Sequence, residues 1–342
     1  MTAAARARKY TPRTAPETKV ATSAMIASLA AEGYDTVSAP FGHALVAAAK
    51  TDSRIVGLTA DLAKYTDLHV FAQAYPDRFY QMGMAEQLLM SASAGLAHEG
   101  FIPFATTYAV FASRRAYDFI CMAIAEENLP VKIICGLPGL TTGYGPSHQA
   151  TEDLAIFRGL PNLTILDPCD ATDMAQMVPA MVAHDGPVYA RLLRGKVPSV
   201  LTRYKPDYQF KLGRAQMIRD GSDVLVVSSG IMTMRALDAA ELLAADGVDV
   251  GVLHVPTIKP LDTQTILEQA AKGRLLVTAE NHSEIGGLGE AVARCLLHAG
   301  VTPTYRQIAL PDAFLEAGAL PTLHKMYGLD TASIAQKIRG WL

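Results

Sequence analysis

Glu86 sits in the run Gln81-Met82-Gly83-Met84-Ala85-Glu86-Gln87-Leu88-Leu89-Met90. The pattern reads as a strand end, a glycine turn and a helix start, with a carboxylate in the first helical turn among apolar neighbours. Burying a carboxylate there costs free energy unless it finds a partner. Desolvation would raise its pKa and make it a proton donor. The plainer reading is an acid placed for the helix dipole. Tyr108 and Phe111 lie three apart in Thr106–Asp118. If that segment is helical they share a face, where they could stack on a flat heterocycle or fill core. In Gly143-Tyr144-Gly145-Pro146-Ser147-His148-Gln149-Ala150-Thr151-Glu152-Asp153, glycine and proline enforce a loop. Glu152 and Asp153 suit the next helix start, which leaves His148 at a loop–helix junction as donor, acceptor or base, or as part of a capped loop. Arg191, Arg194 and Lys196 follow one another closely after a strand. They could hold a phosphate or line a solvated interdomain linker. Gly286-Gly287-Leu288-Gly289 is too short for a dinucleotide fingerprint and reads as a tight turn with close helix packing.

These side chains need a scaffold, and the chain supplies an alternating one. Short buried runs at 54–58, 131–135, 163–166, 224–227, 248–253 and 275–277 read as strands. Amphipathic stretches at 86–98, 111–127, 171–184, 233–245 and 287–299 read as helices. That rhythm predicts parallel sheets covered on both faces. A polar, irregular segment at 194–213 breaks it. The expected fold is therefore α/β with two doubly wound domains, 35–193 and 214–342, joined by a 194–213 linker. The length of 342 residues and a 50% hydrophobic content allow two cores. A formal net charge of −3 gives no footprint for nucleic acid or an anionic membrane. No apolar run is long enough to span a bilayer. Cys121, Cys135, Cys169 and Cys295 form no CxxC and read as buried thiols of a reducing, cytoplasmic setting. Residues 1–34 begin with a basic, Ala- and Thr-rich stretch. It reads as a mobile tail or an interface arm rather than a targeting signal.

Order and spacing carry more than any motif alone. Asp61-Leu62, GMAEQ, TYAVFASRRAYD, GYGPSHQATEDLAIFRGLPNLTILDPCD and GPVYARLLRGKVP together resemble the pyrimidine-binding domain of transketolase. VLVVSSGIMTMRALDAAELL, VLHVPTIKPLD and AENHSEIGGLGEAV resemble the transketolase C-terminal domain. The resemblance spans roughly residues 36–340 and implies thiamine diphosphate with Mg²⁺ as cofactors. In that family the diphosphate and metal are anchored by a separate domain bearing a GDG motif, and no Gly-Asp-Gly occurs in this chain. The resemblance therefore implies a partner, an N-terminal-half transketolase subunit, in an α2β2 heterotetramer. No metal ligand is expected from this chain. Glu86 matches the Glu that contacts N1′ of the aminopyrimidine, and Tyr108 and Phe111 match the aromatics packed on that ring. Asp61 joins the cofactor-binding set. His148 matches a His near C1 of the donor ketose, and Arg194 an Arg that holds the sugar phosphate. Tyr144 joins the substrate-binding set. Glu86 and His148 are the expected catalytic pair of a two-carbon ketol transfer, active only with the partner.

Three departures bear on substrate choice. The loop Thr142-Gly143-Tyr144-Gly145 lacks the acid that many transketolases place there. Ser38-Ala39-Pro40 stands where a phosphate-contacting Arg is usual, and Tyr65 where a small Ser is usual. They leave cofactor activation intact and put the standard pentose phosphates in doubt. Two other functions compete. One is a 2-oxo acid dehydrogenase β subunit or a deoxyxylulose phosphate synthase, which would decarboxylate a 2-oxo acid. The other is a non-catalytic α/β scaffold.

Overall fold

The computed structural model describes residues 34–342. The expected basic tail or arm at 1–34 thus lies outside the described residues, apart from Tyr34. Fourteen strands occur among the described residues. The first eight are β1 (Thr36–Ser38), β2 (Ile55–Thr59), β3 (Phe79–Gln81), β4 (Ile102–Tyr108), β5 (Lys132–Gly136), β6 (Thr164–Leu166), β7 (Val188–Leu192) and β8 (Lys196–Pro198). The other six are β9 (Gln216–Arg219), β10 (Val224–Ser228), β11 (Val250–His254), β12 (Thr257–Lys259), β13 (Leu275–Ser283) and β14 (Tyr305–Leu310).

One sheet runs β12-β6-β7-β5-β4-β2-β3 and the other β14-β13-β10-β11-β9. Every residue of β2, β4, β5 and β7 is buried, as strands covered by helices on both faces must be. The Glu86–His98 and Ala171–Val182 helices begin where the apolar periodicity places them. Asp170 caps the second by accepting the N–H of Asp173 at 3.0 Å. The result is an α/β chain with two doubly wound sheets. In the first, the chain sets β3 on one side of β2 and then continues from β4 on the other. Such a reversal opens a crevice at the carboxyl ends of the strands, where open α/β sheets bind ligands.

Five expectations need correction. The sheets are not wholly parallel, since β9 and β12 run antiparallel to their neighbours. Strand β12 lies in the C-terminal half of the chain yet pairs with β6, so one strand crosses over and stitches the halves together. The 194–213 segment is not an open linker: β8 pairs with β1, and Leu201 and Tyr208 are buried. The 111–127 stretch is not one helix. It is Ala109–Arg115, Tyr117–Ile120 and a π-turn at Cys121–Ala125, broken at Ala116. Cys135 and Cys169 are buried, but Cys121 and Cys295 are only half-buried.

A buried polar seam joins the halves. Arg191 of β7 is 1% exposed. Its guanidinium pairs with Asp153, donating from Nε at 2.9 Å, and reaches the carbonyl of Asn281 on β13 at 3.2 Å. The Asn281 side chain accepts the N–H of Leu140 at 2.9 Å. The Gly287–Gly289 turn is as tight as its glycines suggest. Glu280 accepts the N–H groups of Leu288 and Gly289 at 2.6 and 2.8 Å, and a Cβ on Gly287 would lie 1.9 Å from its Oε2.

Candidate active site

The carboxyl ends of β2, β3, β4, β5 and β7 carry all the expected site residues. Asp61 follows β2, Glu86 follows β3, and Tyr108 ends β4. Tyr144 and His148 lie in the loop after β5, and Arg194 follows β7.

Glu86 is the first residue of its helix and 2% exposed. Its partner is Arg115, whose Nη1 lies 3.3 and 3.4 Å from the two carboxylate oxygens. Sequence reasoning missed Arg115. The signal was present, because Arg115 stands four residues after Phe111 on one helix and such pairs meet. Its guanidinium carbon lies 4.0 Å from the Phe111 ring centre, a cation–π distance. Buried acid, cation and aromatic face thus form one contiguous group.

Tyr108 and Phe111 meet, but not on a shared helical face. Tyr108 is the last residue of β4 and Phe111 lies in the helix that follows, with ring centres 5.7 Å apart. The strand–helix corner, rather than helical spacing, brings them together. His148 packs edge-on against Phe111, Tyr108 and Tyr144, at 5.5, 6.2 and 5.4 Å between ring centres. Its Nδ1 faces the Ser147 hydroxyl at 2.9 Å, which leaves Nε2 for a ligand. Burial, and then the Arg115 charge, lower its pKa, so the ring is neutral at neutral pH.

The His148 loop is pinned from both sides. Arg114 bonds the carbonyls of Pro146 and Gln149 at 2.9 and 3.3 Å and the Glu152 carboxylate at 2.5 Å. Gln149 donates from Nε2 to Thr142 and Glu316 carbonyls at 3.2 and 3.1 Å. Tyr144 is 57% exposed at the rim.

Arg194 stands with Tyr65, its guanidinium carbon 5.6 Å from that ring centre. Its Nε is buried without a hydrogen-bond partner among the described residues. An unpaired donor of that kind suits an anionic ligand group. Asp67, also missed, fixes the turn. It is 1% exposed and accepts the Gly195 N–H on both oxygens at 3.0 Å. Burial pushes its carboxyl up to about 6, against the Gly195 N–H and the Arg194 charge. Arg191 does not join this cation group, because its buried pairing with Asp153 already occupies it. Asp61 is exposed and bonded to Gln81, which donates to its carboxylate at 3.1 Å. Among the described residues no three His, Cys, Asp or Glu side chains gather to hold a metal ion.

A buried carboxylate beside an aromatic wall, with a neutral His on the same wall, is a donor set for a flat heteroaromatic with a ring nitrogen. The residues present therefore fit the aminopyrimidine end of thiamine diphosphate. Comparison with known proteins bears on the family. Residues 35–199 match the transketolase pyrimidine-binding domain and 213–334 the transketolase C-terminal domain. The chain is 68% identical, over 95% of its length and 94% of the relative, to y4mN, an uncharacterised transketolase family protein of Sinorhizobium fredii. It is 40% identical to SqwH of a Clostridium species, named as a 6-deoxy-6-sulfo-D-fructose transketolase subunit, over 84% of this chain and 88% of the relative. A solved structure described as a split-gene transketolase in an inactive beta4 tetramer superimposes with TM-score 0.80 at 40% identity, covering 88% of this chain and 96% of that one. With both halves of the sequence matched and the fold superimposing, the chain belongs to the transketolase family.

Proposed function

We propose that this chain is the pyrimidine-binding and C-terminal-domain subunit of a split transketolase, moving a two-carbon ketol unit from a ketose donor to an aldehyde acceptor. The observation that carries the reading is Glu86, a buried acid at the carboxyl ends of the first sheet whose partner Arg115 packs on Phe111, itself against Tyr108. When bound, thiamine diphosphate supplies the nucleophilic carbon and electron sink for breaking the C2–C3 bond of the ketose. Glu86 holds a proton at the N1′ position of the aminopyrimidine. Tyr108 and Phe111 orient that ring and exclude water from its face, and Asp61 borders it. His148, held neutral, bonds the donor near C1, with Tyr144 at the rim. Arg194 receives the anionic far end of the donor.

The division into domains at 35–193 and 214–342, with 194–213 between, is part of this reading. So is a partner subunit carrying the GDG motif, which would hold the diphosphate and Mg²⁺ in an α2β2 assembly, in a cytoplasmic setting. The missing Gly-Asp-Gly in this chain supports it. The unpaired Nε of Arg194, and a relative named for a sulfonated fructose, support a donor with a terminal phosphate or sulfonate.

The test is reconstitution with a GDG-bearing subunit against phosphorylated, sulfonated and plain ketoses. Ketol transfer should appear only in the complex and favour an anionic donor over its plain counterpart. Pyruvate turnover without a ketose would move the chain to the synthase or dehydrogenase class. Tight stoichiometric binding of thiamine diphosphate by the chain alone would contradict the shared site.

A further inference from the structure

A second concave site lies apart from the residues above. It is a cavity of about 530 Å³ between the Asp153–Arg158 helix, strand β12, and the Thr263–Ala270 and Leu288–His298 helices. That is the size range of small-molecule sites, 300–1,000 Å³. Its basic side chains are Arg158, Lys259, Arg294 and His298, and its apolar wall includes Ile258 and Leu267. No carboxylate lines it.

These basic groups are only partly engaged. Arg158 spends Nη1 on the carbonyls of Gly286 and Gly287, and Lys259 donates to the Leu160 carbonyl. Neither finds a carboxylate hydrogen-bond partner. Among the described residues the Arg294 and His298 side chains make no hydrogen bond or ion pair. Burial, and then the Arg158 charge, lower the Lys259 pKa. Glu280 and Glu290 act on Arg158, but neither lines the cavity.

We infer that this cavity binds a phosphomonoester carrying an apolar or aromatic body, of the size of a nucleoside monophosphate. Two guanidiniums and an ammonium match a dianion better than a single negative charge. The apolar wall gives the rest of the ligand somewhere to lie. Its place suits an effector. Arg158 belongs to the helix that directly follows the His148 loop, and it also holds the turn before the Leu288–His298 helix. A ligand there clamps the two halves of the chain one helix away from the site.

Cys295 lines the cavity and is half-buried, so its alkylation reports occupancy. Cys121, half-buried elsewhere, serves as the internal reference. The full chain is titrated with adenosine 5′-monophosphate, inorganic phosphate or adenosine, and both thiols are followed by mass spectrometry. The nucleotide should slow alkylation of Cys295 but not Cys121, at a half-concentration at least about tenfold below that of phosphate. Adenosine should give no protection. Arg294→Glu at an exposed position, and Ala299→Trp, which fills the cavity, should each abolish protection while the unliganded melting temperature holds. No protection at about 10 mM nucleotide, equal protection by phosphate or adenosine, or protection retained in both variants would overturn the inference.

Discussion

Glu86 and Arg194 each put a simple physical question. A buried acid next to a ring nitrogen shares a proton with it, and the amide of Glu86→Gln keeps size and hydrogen bonding but has no acidic proton to give. In the reconstituted complex, cofactor affinity should stay within about tenfold of the parent, or ~1.4 kcal/mol. Turnover should fall by on the order of 10²–10⁴, the usual worth of a positioned acid or base. Deuterium exchange at cofactor C2, followed by NMR, should slow in step. Parent-like exchange and turnover would leave Glu86 as a helix-start residue. Arg194→Ala removes a charged donor, which costs about 1.5–3 kcal/mol in binding. KM for an anionic ketose should therefore rise by roughly 10- to 100-fold. Its kcat, and all constants for a plain ketose, should change little. An equal loss on both donors would mean that Arg194 holds the fold of the Gly195 turn instead.

At the scale of elements, the His148 loop is shaped by a segment more than 160 residues away. Gly318 donates its N–H to the Gly143 carbonyl at 3.0 Å, and a Cβ on Gly143 would lie 2.0 Å from the Gly318 carbonyl oxygen. Gly143→Ala must push the loop away from the 311–318 strap. The expected cost is about 1–3 kcal/mol of stability, as for other overpacked sites. It should come with a drop in kcat/KM for every donor, readable by melting curves and steady-state kinetics together. Parent-like kinetics would show the loop to be adaptable.

The Gly287–Gly289 turn gives an element-scale pH prediction. Burial pushes the Glu280 carboxyl up to about 7, so the folded chain holds more protons than the unfolded one between pH 4.5 and 7. Stability from this group falls as pH rises through that window. Burial, with the Arg191 charge, lowers His282 to about 4, so its contribution rises with pH between 4 and 6.5. The two slopes oppose each other. Glu280→Gln removes one of them. Relative to the parent, the variant should gain on the order of 1–3 kcal/mol between about pH 4.5 and 7. Thermal melts at matched pH values check this, and a pH-independent difference would show that Glu280 does not titrate there.

For the whole molecule, the proposed partner subunit makes the exposed apolar surface the feature to test. Met84, Leu88, Phe119 and Met122 are 81, 53, 38 and 54% exposed, and their elements pack together beside Glu86. An apolar surface next to the candidate site fits coverage by protein. Native mass spectrometry of the chain mixed with a GDG-bearing subunit should show two copies of each. Leu88→Glu should reduce that assembly by at least about tenfold while the melting of the isolated chain changes little. Unchanged assembly would place the interface elsewhere. Among the described residues no helix is long and apolar enough to cross a membrane.

The sequence by itself determined the α/β rhythm, because buried parallel strands must be apolar throughout and their helices amphipathic. It also offered Glu86, Tyr108, Phe111, His148 and Arg194 as candidates, each open to a plainer structural reading until the resemblance to transketolase gave it a role. The Glu86–His98 helix was legible to the residue, since a glycine turn and an apolar periodicity bound it. Tertiary structure alone decided which of these side chains meet. Arg191 and Arg194 are alike in sequence. Yet β7 carries Arg191 inward to Asp153 and ends before Arg194, which is left with a buried, unpaired nitrogen. Tyr108 and Phe111 were legible as a pair but not as a strand–helix corner. Arg115 was marked by its place four residues after Phe111, but not its pairing with Glu86; Asp67 and the 311–318 strap were invisible as site elements, because each acts across a long stretch of chain. Periodicity reports the local backbone; long-range pairing depends on how the sheets are laid side by side, and no local pattern encodes that.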